Sequence, residues 1–312
     1  MTKIAIVGAG LIGRSWAYVF ARAGMQVVVW DPEAAVLDRL DEDVCAMHAR
    51  AGAHERAGDD PQGLPSRIRA CPRLEDALDG ADLVQENGPE VLDIKQSLFA
   101  ELDRLAAPQT ILASSSSALM ASTFTQGLEG RARCLIAHPV NPPHLVPVVE
   151  LCPTPDTDPD VMERAAVIYR DAQQVPVLLG REIDGFVLNR LQAVVLAESL
   201  RLISEGIVTP EGLDDTIRHG LGRRWAFMGP METIHLNAPG GIQDYLERYG
   251  PTMARLSNDA ARGEAFTADA ARKAGADFST DTREDIRARQ EWRDGELAAL
   301  DRHLLNRSAN RS

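Results

Sequence analysis

The sequence predicts an α/β protein in two parts: a doubly wound sheet, then an all-helical C-terminal domain. Three observations carry this. Short apolar runs alternate with helix-like stretches from the N-terminus to Leu178. Beyond about residue 184 the strand signal stops and the chain reads as helix. At 312 residues the chain is also long for one ordinary core, so two domains are expected. Strands alternating with helices imply β-α-β units and a parallel sheet. The domains are placed at 1–183 and 184–312.

Ile4-Ala5-Ile6-Val7 is the first strand, and Gly13 to Ala23 the first helix. Gln26 to Trp30 is β-branched and ends at Asp31. Leu37 to Arg50 is helix-like, and residues 51–65, rich in Gly, Asp and Pro, read as a loop. Leu83–Glu86, Thr110–Ala113, Cys134–Ala137 and Pro147–Leu151 are further strands, with a helix from Ile94 to Leu105. Val175 to Leu178 closes the sheet. Phe186 to Glu205 is apolar but interrupted by Asn189, Arg190, Gln192, Glu198 and Arg201. That pattern is a long buried helix, not a membrane span of ~20 apolar residues. Thr209-Pro210-Glu211 starts a helix with a cap and a proline at its first position. Asp281, with Glu284 three residues on, is expected to cap the last helix. The small helical domain is expected to bury its apolar helix against a second copy, as a homodimer.

Composition removes several classes. Lys plus Arg is 33 and Asp plus Glu is 46, a net charge of −13, so nucleic acid and anionic lipid are poor partners. The N-terminus enters a strand directly, without the apolar stretch of a signal peptide. Cys45, Cys71, Cys134 and Cys152 form no CxxC and no metal spacing. They read as reduced thiols of a cytoplasmic protein without a metal site.

Gly8-Ala9-Gly10-Leu11-Ile12-Gly13 is G-x-G-x-x-G. Alone it is weak; after a strand, opening a helix, and with Asp31 ending the second strand, it has the context that a dinucleotide fingerprint needs. Gly8 allows the tight turn, Gly10 the approach of a pyrophosphate, and Gly13 close helix–strand packing. Backbone N–H groups of Leu11, Ile12 and Gly13 open the helix toward the phosphates. Asp31 accepts from a ribose and repels a 2′-phosphate, which favours NAD over NADP. FAD uses the same fingerprint, so this region alone leaves the cofactor open.

His138 follows a strand in Ala137-His138-Pro139-Val140-Asn141-Pro142, and Glu150 lies on the next strand. Dehydrogenating an alcohol needs a base for the hydroxyl proton, and imidazole titrates in the right range. A carboxylate on its other nitrogen fixes the tautomer. Ser114 to Ser117 end a strand on the same edge, but spacing cannot choose among the four. Asn189 is either a substrate ligand or an internal brace. Glu90 and Lys95, as bare charges, resemble solvated surface.

Together these segments resemble the 3-hydroxyacyl-CoA dehydrogenase family over nearly the whole chain. The segments are Gly8 to Asp31, Glu90 to Lys95, Ser114 to Leu119, His138 to Pro142 with Glu150, and Asp184 to Arg190. The resemblance implies an NAD-dependent enzyme with His138 as base and Glu150 as its partner. It places Ser117 and Asn189 at the reacting oxygen, Asn141 at the substrate, and Glu90 and Lys95 along the NAD site. His138 to Pro143, Glu182 to Gln192 and Gly229 to Asn237 are more similar to one branch, the lambda-crystallin type of L-gulonate 3-dehydrogenase. Residues 33–65 hold eight carboxylates and no lysine, which departs from a CoA-phosphate surface; Arg39, Arg50 and Arg56 remain. A free hydroxy acid needs a cation for its carboxylate, and Arg224 in Arg223-Arg224-Trp225 offers a planar one. The expected reaction is NAD-dependent oxidation of the L-3-hydroxyl of a small hydroxy acid, L-gulonate first. 3-Hydroxyacyl-CoA, 3-hydroxybutyryl-CoA and L-carnitine are alternative substrates, and a structural NAD-binding protein is the non-enzyme alternative.

Overall fold

Strands buried on both faces require near-continuous apolar runs. Ile4-Ala5-Ile6-Val7 meets that requirement: alternate side chains enter two different clusters, Ile4 and Ile6 with Trp16, Phe20 and Tyr169, Ala5 and Val7 with Phe99, Phe124 and Phe186. The two clusters are the two faces of one sheet. A computed structural model describes residues 1–51, 64–260, 262–276 and 281–309.

The sheet has eight strands: β1 Lys3–Val7, β2 Gln26–Trp30, β3 Ile68–Ala70, β4 Leu83–Glu86, β5 Ile111–Ser114, β6 Cys134–Pro139, β7 Val148–Pro153 and β8 Val175–Leu178. Their order is β3-β2-β1-β4-β5-β6-β7-β8. This is the doubly wound Rossmann-type sheet expected, with two differences. β3 has no counterpart in the sequence reading, being three residues with a central arginine. β7 runs antiparallel to β6, whereas parallel units were expected throughout. The physical reason is the link between them: a parallel pair needs a crossover of a dozen residues or more, and Val140 to Pro147 is a shorter, proline-rich loop. The loop expected over 51–65 lies almost wholly outside the described residues. Its last part belongs to a short helix, Leu64–Arg67.

The chain divides into two units, Met1–Val187 with Gln290–Ser312, and Leu188–Arg289. The second unit is helical. Thr209 caps Pro210–Asp215 by accepting from the Gly212 N–H at 3.1 Å. The last helix, Arg283–Ala309, is capped one residue later than expected. Thr282 accepts from the Asp285 N–H at 3.2 Å and Asp285 accepts from the Thr282 N–H at 2.9 Å, so Thr282 and Asp285, not Asp281 and Glu284, form the reciprocal cap. The helix Leu188–Ser204 was expected to be buried. Within one chain it is not: Leu191 is 61% and Val194 65% exposed. Among the described residues no helix is long and apolar enough to cross a membrane.

Candidate active site

Parallel pairing brings the C-terminal ends of β1, β2, β4, β5 and β6 to one edge of the sheet. Val7 sits opposite both Trp30 and Glu86, Glu86 opposite Ser114, and Ser114 opposite Ile136. The residues that follow these positions therefore share the edge where doubly wound sheets bind ligands.

The glycine turn follows β1. Gly8 has φ +91°, a conformation that side-chain-bearing residues rarely adopt, and its N–H donates to the Trp30 carbonyl at 2.8 Å. A Cβ on Gly13 would lie 1.8 Å from the Gly8 carbonyl oxygen. Gly10 differs: a Cβ there would meet nothing within 4 Å, so the protein itself does not require this glycine. It leaves open space at the start of the helix Leu11–Arg22, which has neither a side-chain cap nor an acid in its first turn. Leu11 is exposed and Ile12 packs on the core. Asp31 shapes the turn as well as facing it: Oδ2 accepts from the Ala9 N–H at 2.7 Å and Oδ1 from the Glu33 N–H at 2.9 Å. Beside it lies a cavity of about 480 Å³ walled by Gly8, Trp30, Pro32, Pro89, Ile94 and Leu98. An uncapped helix start, an open Cβ position and an apolar slot beside a carboxylate together fit a dinucleotide.

His138 and Glu150 stand opposite each other across the antiparallel β6–β7 pair. The imidazole Nδ1 lies 2.9 Å from Glu150 Oε2, and the two residues are 4% and 2% exposed. A carboxylate only accepts, so Nδ1 carries the hydrogen and Nε2 is left as the basic nitrogen. Glu150 Oε1 also accepts from the Val187 N–H at 2.9 Å, and the Phe186 ring packs 5.2 Å from the imidazole. Asn141 is exposed and precedes a cis bond to Pro142.

Lys95 is not the surface charge its residue type suggested; it is 1% exposed. Its Nζ donates to both oxygens of Glu86, at 2.8 and 3.0 Å. Sequence reasoning missed Glu86, although an acid closing a buried strand nine residues before a lysine was a readable signal. Glu90 accepts from the Ser116 hydroxyl and from the Ser117, Ala118 and Leu119 N–H groups at 3.1, 3.1 and 3.0 Å. Burial alone would raise its pKa, but the bonds from Ser116, Leu119, Ser117 and Ala118 together hold it below the usual carboxylate value.

The structure also separates the four serines. Ser114 donates to Glu86 Oε2 at 2.6 Å. Ser115 donates to Asn87 Oδ1 at 2.7 Å and accepts from Gln85 Nε2 and Trp16 Nε1 at 2.7 and 3.2 Å. Ser116 is bound to Glu90. Ser117 is the exposed one of the four. Gln85, held in turn by the Tyr169 hydroxyl, and Asn87 are further residues that the sequence did not disclose. In the helical unit, Asn189 sits in the first turn of Leu188–Ser204, half-buried. Arg224 is exposed, on the short helix Gly222–Trp225, and forms no ion pair among the described residues.

Comparison with known proteins decides the family. Residues 3–183 match the 3-hydroxyacyl-CoA dehydrogenase NAD-binding domain, and residues 185–281 the C-terminal domain of the same family. The chain belongs to the 3-hydroxyacyl-CoA dehydrogenase family. A lambda-crystallin homolog of Bos taurus is 44% identical over 304 residues, covering 95% of this chain and 94% of that protein. An L-carnitine dehydrogenase of Oceanobacillus iheyensis is 35% identical over 254 residues, covering 81% and 82%. Among solved structures, an NAD+-dependent dismutase, 5-formyl-3-hydroxy-2-methylpyridine 4-carboxylic acid 5-dehydrogenase, superposes with TM-score 0.85 at 28% identity, covering 97% of this chain and 99% of that one. As a 3-hydroxyacyl-CoA dehydrogenase family member, the protein is an NAD-dependent oxidoreductase acting on CH–OH groups.

Proposed function

We propose that the protein oxidises the L-3-hydroxyl of a small free hydroxy acid, with L-gulonate as the first substrate to try. The buried His138–Glu150 pair carries the reading. With Nδ1–H engaged by Glu150, Nε2 takes the hydroxyl proton, and the carboxylate stabilises the imidazolium that forms. NAD, when bound, accepts the hydride at its nicotinamide. In the sheet unit Ser117 holds the reacting oxygen and Asn141 lines the substrate side; in the helical unit Asn189 and Arg224 are the residues with side chains suited to the substrate's hydroxyl and carboxylate. Ser117 is favoured over its neighbours because it is the exposed one of the four and falls on the position the family resemblance assigns to the substrate. Gly8, Gly10, Leu11, Ile12, Gly13 and Asp31 bind the dinucleotide, with Glu90 and Lys95 in the flanking segment. A free acid is preferred to a CoA ester because the sequence over 33–65 lacks lysine and because the lambda-crystallin homologs are similar over nearly the whole chain.

The protein acts as a cytoplasmic homodimer in this reading, and the exposed apolar face of Leu188–Ser204 supports the dimer. The test is NADH formation with L-gulonate, L-3-hydroxybutyrate, L-carnitine and 3-hydroxybutyryl-CoA measured side by side. L-Gulonate is expected to give the highest kcat/KM. A preference for the CoA ester moves the assignment to an acyl-CoA dehydrogenase, and a preference for carnitine to a carnitine dehydrogenase.

A further inference from the structure

A row of neutral polar groups, none assigned to the chemistry, runs from the core to the glycine turn. Tyr169, on the helix Pro159–Asp171, and Gln85, on β4, are fully buried. Ser115, just after β5, and Asn87, just after β4, are half-buried at the edge of the sheet that carries the turn.

The sense of every bond in this row is fixed. Main-chain carbonyls only accept. Asn87 Nδ2 therefore faces the carbonyls of Gln85 and Val7, at 2.8 and 3.4 Å, and its Oδ1 faces Ser115. The Ser115 hydroxyl has one hydrogen, which goes to that oxygen at 2.7 Å. Ser115 in turn accepts from Trp16 Nε1 at 3.2 Å and from Gln85 Nε2 at 2.7 Å. Gln85 Oε1 is left to accept from the Tyr169 hydroxyl. Burial pushes the Tyr169 phenol well above its ordinary pKa, so it stays a donor. The row ends on the peptide that enters the turn. The Val7 carbonyl takes both the Asn87 N–H, at 2.7 Å, and Nδ2, while the N–H of the same peptide, on Gly8, donates to the Trp30 carbonyl. The Asn87 main chain also lines Gly8, where a Cβ would come within 3.1 Å of its carbonyl oxygen.

We propose that Asn87 is a positioning residue for the dinucleotide, aimed by a one-way relay from Tyr169 through Gln85 and Ser115. The proposal rests on the reading that NAD binds on the Gly8–Gly13 turn. Asn87 meets the turn from the protein side: a Cβ on Gly13 would lie 3.4 Å from its Nδ2. Holding the Val7–Gly8 peptide in place before the ligand arrives spares part of the ordering cost of binding. The relay decides whether Asn87 can do this, because an amide turned the other way would set its oxygen against two carbonyl oxygens.

The experiment compares the wild-type full chain with Asn87→Ala, Ser115→Ala, Ser115→Cys, the double variant Asn87→Ala/Ser115→Ala, and Gly10→Ala. Three quantities are read: the NAD dissociation constant by titration calorimetry, the melting temperature without NAD, and amide hydrogen exchange over residues 7–10 with and without NAD. Asn87→Ala and Ser115→Ala should each raise the NAD dissociation constant by about three- to tenfold. The double variant should exceed the larger single effect by less than about twofold, because both act through one contact. Without NAD the Gly8 and Ala9 amides should exchange faster than in wild type, and saturating NAD should return them to the wild-type rate. Ser115→Cys keeps the size and a weak S–H donor. It should fall between wild type and Ser115→Ala, which keeps the test open if the alanine variant folds poorly. A lower melting temperature with unchanged NAD affinity overturns the proposal, since the row would then brace only the sheet. A fully additive double variant overturns the relay, as does unchanged exchange. Wild-type NAD affinity in Gly10→Ala defeats the placement of the dinucleotide on this turn instead, and exchange without NAD still decides whether the relay holds the turn.

Discussion

The two units treat polarity in opposite ways. The sheet unit buries several charged groups in paired sets: Glu86 with Lys95 and Ser114, His138 with Glu150, Asp103 with Arg133. The helical unit leaves large apolar side chains in the open, Leu191, Val194, Phe227, Met231 and Leu246 among them. Among the described residues, none of the apolar core clusters draws a residue from Leu188–Arg289. Buried charges survive only when paired, because an unpaired one costs several kcal/mol. An exposed apolar face of this extent marks an interaction surface. One unit thus pairs the charges it buries, while the other leaves apolar side chains exposed that the proposed dimer would cover.

Breaking the His138–Glu150 pair should give the largest effect. His138→Ala removes the nitrogen proposed to take the substrate proton, and kcat should fall by about 10²–10⁴-fold with NAD affinity retained. Stopped-flow NADH formation alongside NAD titration separates the two. Undiminished turnover would break the contrast, because a buried and hydrogen-bonded pair of the sheet unit would then have no chemical task.

The apolar face of the helical unit gives the next effect. Leu191→Asp and Val194→Asp put charges on it without touching any residue assigned to the chemistry. Sedimentation should show a dimer dissociating at least about tenfold more readily, equivalent to about 1.4 kcal/mol or more, and a melting temperature that depends on protein concentration. A wild-type protein that stays monomeric at all concentrations would mean that this face is covered in another way.

The glycine turn sharpens the comparison within the sheet unit. Gly13→Ala drives a Cβ into the Gly8 carbonyl, so the cost falls on the fold, about 1–3 kcal/mol or more. Gly10→Ala meets no protein atom, so stability should hold while NAD affinity falls. Thermal melts with and without NAD read both. Equal loss of stability in the two variants would show that the open space at Gly10 serves the protein and not the cofactor.

Much of the site was legible because its signals are local. G-x-G-x-x-G followed by Asp31 needs only one strand, one turn and one helix, and the structure gives each glycine its own physical reason. His138 and Glu150 were legible as a pair through their adjacent strands, but their face-to-face register comes from an antiparallel reversal that the expectation of parallel units obscured. The length of the Val140–Pro147 link already argued for that reversal. β3 was not legible: Ile68-Arg69-Ala70 has no apolar run, and its strand state comes from pairing with β2. Lys95 was misjudged for a related reason. Residue type alone says surface, and only the fold brings Glu86 to it. The helix Leu188–Ser204 was legible as apolar, but a sequence does not say whether the chain's own core or another molecule covers an apolar stripe.

The smallest expected effect tests how dry the sheet unit is. Cys134 and Cys152 lie on β6 and β7 inside the sheet. Burial, with Asp103 adding to it against Arg133, pushes the Cys134 thiol up to about 12. Burial, with Glu182 adding to it, pushes Cys152 up to about 11. A raised pKa means that both are protonated thiols at pH 8, and the thiolate is the reactive form. Cys45 is exposed on Leu40–Ala51, whereas Cys71 is buried and its Sγ lies 3.3 Å from the Arg73 carbonyl oxygen, as a donor to it. An aromatic disulfide reagent at pH 8 should therefore label Cys45 quickly and the other three only on unfolding. Fast labelling of Cys134 or Cys152 in the native protein would show that the strands carrying His138 and Glu150 open to water. The pair would then have to work in a wetter and less ordered site than its burial implies.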